Sequence, residues 1–200
     1  MKRIFKDEED LEIEEQDKLI CKKEEKYTDD YYYRILNHNR HILLYNEINN
    51  ISADIICSKL RAMNLLDKRK PIYLELNSPG GSVGDGMAII DTIAQIDAPV
   101  YTIVTGNVCS MAAVISVVGK KRFMTKNATW MNHSTSDLLG DYLTHIKDRT
   151  NYLMKLEKKM NGILTSRTKL TKYQLNQIKN GELWLFAEDA LKAGIVDKII

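Results

Sequence analysis

The sequence predicts an α/β domain with a largely parallel sheet. From Ile35 onward, strand-like runs alternate with helix-like runs at the spacing of βαβ units. One of these runs, PVYTIVT at 99–105, is almost wholly apolar, as strands buried on both faces are. Two strand ends also run directly into glycine-bearing turns, at Ser78-Pro-Gly-Gly81 and at Gly106-Asn107.

Each element has its own signal. Residues 40–45 (RHILLY) read as a strand. Residues 52–66 read as a helix, with Ser52 as cap and Ile55, Ile56, Leu60, Met63 and Leu66 on one stripe. PIYLEL at 71–76 is a second strand, and 86–96 a helix with Met87, Ile90, Ile93 and Ala94 inward. After the third strand at 99–105 come a turn at Gly106-Asn107, a small-residue helix at 110–118, and short strands at 122–125 and 129–131. A long helix is expected over 138–165, where Leu139, Leu143, Ile146, Leu153, Leu156, Met160 and Ile163 recur at helical spacing and the charged residues between them make the other face polar. A helix-and-strand unit at 187–200 closes the chain. Residues 1–30, with 12 acidic and 7 basic side chains and no sustained periodicity, are expected to be a charged, mobile arm or a partner-binding one, leaving 31–200 as the folded domain.

Composition excludes several classes. Two hundred residues at 44% apolar suit one globular domain with a real core. The formal charge of +2 divides into an acidic arm and a basic body, but the basic residues are scattered and no stacking aromatic cluster joins them, so nucleic acid is not expected as a partner. Cys21, Cys57 and Cys109 are odd in number and widely spaced, which fits neither a disulfide framework nor a metal site. The charged start lacks the apolar stretch of a signal peptide, and no apolar run approaches the roughly 18 residues of a membrane helix. A reducing cytoplasm, with no membrane partner, is the expected setting. The abundant Lys, Asn and Ile suggest an AT-rich genome.

One constellation could carry chemistry. A serine nucleophile needs a base, a carboxylate to orient that base, and backbone N–H groups aimed at the developing oxyanion. Ser110 stands where a buried strand ends and a helix begins, so it could serve as nucleophile or merely cap the helix. The glycines of the Ser78–Ser82 turn permit close approach by a ligand chain, or form an ordinary tight turn. His133 follows a short strand; His38, His41 and His145 have weaker contexts. Cys109 adjoins Ser110, but adjacent side chains point different ways, and a small buried residue is the expected role.

From about Arg34 to Ile200 these residues resemble the Clp protease proteolytic subunit (ClpP) family. Asn77-Ser-Pro-Gly-Gly81, Gly106-x-x-x-Ser110-Met, Met131-x-His133 and Ala187-Glu-Asp-Ala-x-x-x-Gly-Ile-Val-Asp197 occur in family order and at family-like spacings over roughly four fifths of the chain. The resemblance implies the ClpP/crotonase-like fold, built of repeated β-β-α units, with the long helix as a projecting inter-subunit handle that has Gly140 near its start. It implies a serine endopeptidase that works through an acyl-enzyme inside stacked seven-membered rings, on peptides or unfolded proteins, with no metal or organic cofactor. Ser110 would be the nucleophile and His133 its base, with the N–H groups of Gly81 and Met111 as the oxyanion hole. The acid position, two residues before Trp184, falls on Glu182 where the family has Asp; Asn180 is the fallback.

The chain also departs from the family. Its charged arm replaces a short apolar N-terminal segment. In the pockets where the family docks AAA+ ATPases, Tyr73 fits, while Glu75 and Thr125 stand where apolar residues are usual, so docking would bury a carboxylate without an obvious partner. A different partner, or none, is expected. Divergent relatives occur in bacteriophages, and the size and composition here allow that origin. Two other functions stay open: a catalytically inactive structural or regulatory ring subunit, which the Asp-to-Glu change keeps in view, and a crotonase-like acyl-CoA enzyme, whose chemistry uses backbone oxyanion holes but no serine at this place.

Overall fold

A computed structural model of the chain describes residues 29–135 and 142–200. Residues 1–28 of the expected arm and Gly140 lie outside them. Helix α1, Asp29–His38, belongs to a unit that ends at Asn39, and Arg40–Ile200 form a second, compact unit that contains the whole sheet.

Strand β1 (His41–Leu44) leads through helix α2 (Asn50–Leu66) to strand β2 (Ile72–Ser78), and helix α3 (Val83–Gln95) leads on to strand β3 (Val100–Cys109). These strands pair in parallel, with Leu44 opposite Leu76 and Leu76 opposite Val104. Their inward residues Ile42, Leu44, Leu74, Leu76 and Val104 are almost completely buried. Helix α2 begins at Asn50, earlier than expected. Its cap is Asn49, and Ser52 at the third helical position returns a bond to the Asn49 N–H, forming a capping box. The inward face of α2 is Ala53, Ile56, Cys57, Leu60 and Met63; Ile55 and Leu66, expected on it, point to solvent. On α3 Ile89 is fully buried and Ala94 is exposed, the reverse of the expected order.

Beyond Val104 the sheet divides. Strand β4 (Lys121–Met124) pairs with the first half of β3, and strand β5 (Thr129–His133) pairs with Asn107–Cys109. Gly106 and Asn107 were expected to end the third strand, but the strand continues through them and changes neighbours. Gly106 has φ +59°, and a Cβ there would lie 2.6 Å from Asn77 Oδ1, which accepts the Asn107 N–H. The Asn107 side-chain oxygen in turn accepts from Thr129 Oγ1, so the bend is pinned on both sides. The helix after β3 is short, α4 at Met111–Ser116, and every residue of it is buried.

The long helix α5 runs Leu143–Arg167, starting later than periodicity suggests because Tyr142 is extended. Residues 138–141 of the expected helix lie outside the described residues. No element is expected from sequence between 165 and 187, yet helix α6 (Lys172–Asn180) and strand β6 (Glu182–Phe186) stand there. Strand β6 alternates, with Leu183 and Leu185 in the core and Trp184 and Phe186 outside, and it pairs antiparallel with β5 in an otherwise parallel sheet. Helix α7 (Ala187–Lys192) and strand β7 (Lys198–Ile199) end the chain, with β7 parallel to β4. No described helix is long and apolar enough to cross a membrane.

On the outer face of β1–β4, rings stack across strands: His41 on Tyr73 at 4.7 Å, Tyr73 edge-on to Tyr101, and Tyr101 edge-on to Phe123. The sequence suggested no partner for Glu75 on this face, and the structure corrects that. His41 Nδ1 lies 2.6 Å from its carboxylate, and the Tyr45 hydroxyl donates to its other oxygen. The pair arises from the parallel register, which sets His41 opposite Tyr73 and so within reach of Glu75.

The C-terminal strand is clamped by charge. Arg122 holds both Asp197 oxygens and donates to the carbonyls of Arg167 and Gly194. Burial opposes ionisation of Asp197, but hydrogen bonds from the Arg122 side chain and backbone, with the charges of Arg122 and Arg167, prevail and hold its carboxyl below the ordinary range. A carboxyl whose folded pKa is depressed stabilises fully above its unfolded value of about 4 and loses that contribution as pH falls through the folded value. In urea titrations, Asp197→Asn is therefore expected to lower the midpoint at pH 7 and to flatten the decline in stability below about pH 4.

Candidate active site

The centre of the site is the turn from β3 into α4. Ser110 has φ +54° and ψ −125°, a conformation that costs a non-glycine residue about 1–3 kcal/mol and survives only where the surroundings impose it. They do so from two sides. The Ser110 N–H donates to the Met131 carbonyl of β5 at 3.0 Å, and Gly80 presses against the turn. A Cβ at Gly80, itself at φ +93°, would fall 2.7 Å from the Cys109 carbonyl and 2.8 Å from the Ser110 Cβ, so only glycine fits. The Ser78 hydroxyl accepts the Gly80 N–H, donates to the Asn46 carbonyl, and fixes the glycine turn. Ser110 occupies the cap position of α4, but its side chain makes no capping hydrogen bond. The hydroxyl is held out of the helix-starting role that sequence alone allowed it.

Met131 leads two residues on to His133, at the end of β5. The bond that holds the serine backbone thus comes from the strand that carries the histidine. Ser110 and His133 line one cleft of about 300 Å³, together with Gly81 and Met111. The N–H groups of Gly81 and Met111 make no hydrogen bond among the described residues, and both residues line the same cleft. No hydrogen bond among the described residues joins the Ser110 hydroxyl to the His133 ring.

Glu182 is the first residue of β6 and stands directly opposite His133 across the antiparallel pair. Its carboxylate accepts the Trp184 Nε1–H at 2.8 Å and lies outside the cleft lining. Asn180, at the end of α6, donates to Asn176 and faces a separate hollow. Cys109 is 9% exposed and does not line the cleft. Burial, and then the Glu182 charge, push its thiol pKa up, which disfavours the thiolate a cysteine nucleophile needs. Among the described residues no three His, Cys, Asp or Glu side chains gather as metal ligands.

Cleft residues not anticipated from sequence include Val83, Thr135, Glu157 and Asn161. Glu157 was assigned to the polar face of the long helix. Its spacing from Met160 and Asn161, three and four residues on, was the available signal that it shares their face.

Comparison with known proteins agrees with this architecture. Residues 22–200 match the family model described as Clp protease. The chain is 35% identical over 175 residues to a protein named ATP-dependent Clp protease proteolytic subunit from Streptococcus suis (strain 98HAH33), an alignment that covers 86% of this chain and 89% of that one. The chain belongs to the Clp protease family.

Proposed function

We propose that this protein is a serine endopeptidase that cleaves peptides or unfolded proteins inside a ring-shaped homo-oligomer. The observation that carries the reading is the strained Ser110 turn, wedged between Gly80 and Met131 and facing a cleft shared with His133. Strain of this kind has no packing purpose at a helix start that an ordinary residue could occupy, and it turns the hydroxyl outward, as a nucleophile elbow does.

Ser110 Oγ attacks the scissile carbonyl while His133 takes its proton. The oxyanion that forms meets the N–H groups of Gly81 and Met111. Collapse of the tetrahedral intermediate breaks the C–N bond, and His133 returns the proton to the leaving amine. Water, deprotonated by the same histidine, then hydrolyses the acyl-enzyme and frees Ser110. No metal or organic cofactor enters these steps.

Glu182 orients His133 in this mechanism. Side chains directly opposite in an antiparallel pair have Cβ atoms about 4.5–5.5 Å apart, so rotation away from Trp184 suffices to bring the carboxylate to the ring. Catalytic hydrogen bonds are often loose until substrate is bound. The Glu182–Trp184 bond is the observation on the side of an inactive ring subunit.

Assembly is supported by apolar side chains left in solvent, among them Ile51, Leu65 and Leu66 on α2 and Tyr152 and Met154 on α5. Stacked heptameric rings in the cytoplasm are the arrangement the family suggests. An AAA+ loop that docked on the ring-stacked face would have to desolvate the His41–Glu75 pair, which is costly. A different partner, or none, therefore follows.

A fluorophosphonate probe is expected to label the wild type and not Ser110→Ala, and peptide hydrolysis to fall by on the order of 10⁴-fold or more in that variant. Absence of labelling in the wild type would favour the inactive ring subunit. Glu182→Gln should lower kcat by about 10²- to 10⁴-fold, while Glu182→Asp retains most activity; equal activity of all three would remove Glu182 from the mechanism. Degradation of an unfolded protein should be unchanged on adding a Clp ATPase, and stimulation would refute the expectation about partners.

A further inference from the structure

The catalytic cleft carries a charge that the peptidase chemistry does not use. Besides His133, Glu157 is the one ionisable side chain that lines it among the described residues, reaching it from the middle of α5. The carboxylate is half-buried and makes no hydrogen bond or ion pair among the described residues. Its own helix offers none: the residues three and four away on either side are Leu153, Met154, Met160 and Asn161, none of them cationic.

The rest of the lining completes a pattern. Val83, Met111 and Met160 give apolar wall, with Met111 and Met160 nearly or wholly buried. Thr135 Oγ1 is buried in the same lining without a hydrogen-bond partner among the described residues, an arrangement that native proteins rarely tolerate unless a ligand or water satisfies it. Asn161 adds an amide. A cleft of mixed lining that starts at the nucleophile, with apolar wall beside an unpaired carboxylate and a hydroxyl, suits a side chain with an aliphatic stem and a hydrogen-bond-donating cationic head. Leucine or phenylalanine would leave both polar groups unmatched, and an acidic side chain would meet Glu157 with like charge.

The geometry points to Glu157 as a specificity-determining residue that selects lysine or arginine on the acyl side of the scissile bond. The acyl side follows because the cleft abuts Ser110 itself, so the side chain filling it belongs to the residue whose carbonyl is attacked. This inference rests on the peptidase reading above.

Peptide substrates with one fluorogenic leaving group, and Lys, Arg, Leu or Glu as the acyl residue, test it on the full-length protein. The wild type is expected to show a higher kcat/KM for Lys and Arg than for Leu. Glu157→Gln, which keeps the shape and removes the charge, should lower the Lys-to-Leu ratio by about 10- to 100-fold, the range of a charge-assisted hydrogen bond. Glu157→Lys should turn the preference towards Glu at that position. Because a ratio is read within one preparation, partial misfolding of a variant does not alter it. A wild type that prefers Leu, or a ratio that Glu157→Gln leaves unchanged, overturns the inference while leaving the peptidase reading intact. Cleavage of none of the substrates, with no fluorophosphonate labelling of Ser110, overturns both.

Discussion

The contact between Gly80 and the Cys109–Ser110–Met111 turn is the constraint on which the rest of the site depends. Its closest approaches, below 3 Å to any built Cβ, leave space for hydrogen alone. Two strand ends, β2 and β3, are thereby locked at van der Waals distance, and the left-handed backbone of Ser110 has nowhere to relax. The Met131–Ser110 hydrogen bond closes the third side and couples the position of Ser110 to the strand that ends in His133. Ser110 and His133 are therefore held by one network of backbone contacts, made by strands and their turns.

That network exists because β3 changes neighbours partway along its length. A regular strand would have paired with β4 throughout and would have ended against it. The Gly106 bend, held by Asn77 and by the Asn107–Thr129 bond, redirects the strand so that β5 can join it at Asn107–Cys109. Only then does β5 present His133 to the cleft on one side and Glu182 of β6 on the other. The Arg122–Asp197 clamp secures the opposite end of the branch, where β4 receives the C-terminal strand.

Three carboxylates set the local electrostatics of this chain. Glu182 reaches Trp184 from the strand position opposite His133. The His41–Glu75 pair makes part of the aromatic face polar. Glu157 sets a negative charge in the cleft that Ser110 lines. Each is a single side chain on the scaffold, and features of that size can set partner or substrate without altering fold.

Periodicity in the sequence determined the α/β class, most of the strands and the long helix, because burial against a sheet imposes its own spacing on apolar residues. The motif residues around Gly81, Ser110 and His133 determined the family. Strand β6 escaped because five residues, ELWLF, carry little periodic signal and their antiparallel pairing depends on a partner strand fifty residues away. Ile55 and Leu66 misled for the opposite reason: an apolar residue can fall near a stripe and still meet only solvent in the isolated chain. Tertiary structure alone decided that Ser110 is strained and not a simple cap, that Glu75 has His41 for a partner, and that Glu157 belongs to the cleft. All three depend on which chains of backbone come within a few ångströms of one another, and sequence neighbours do not encode that distance.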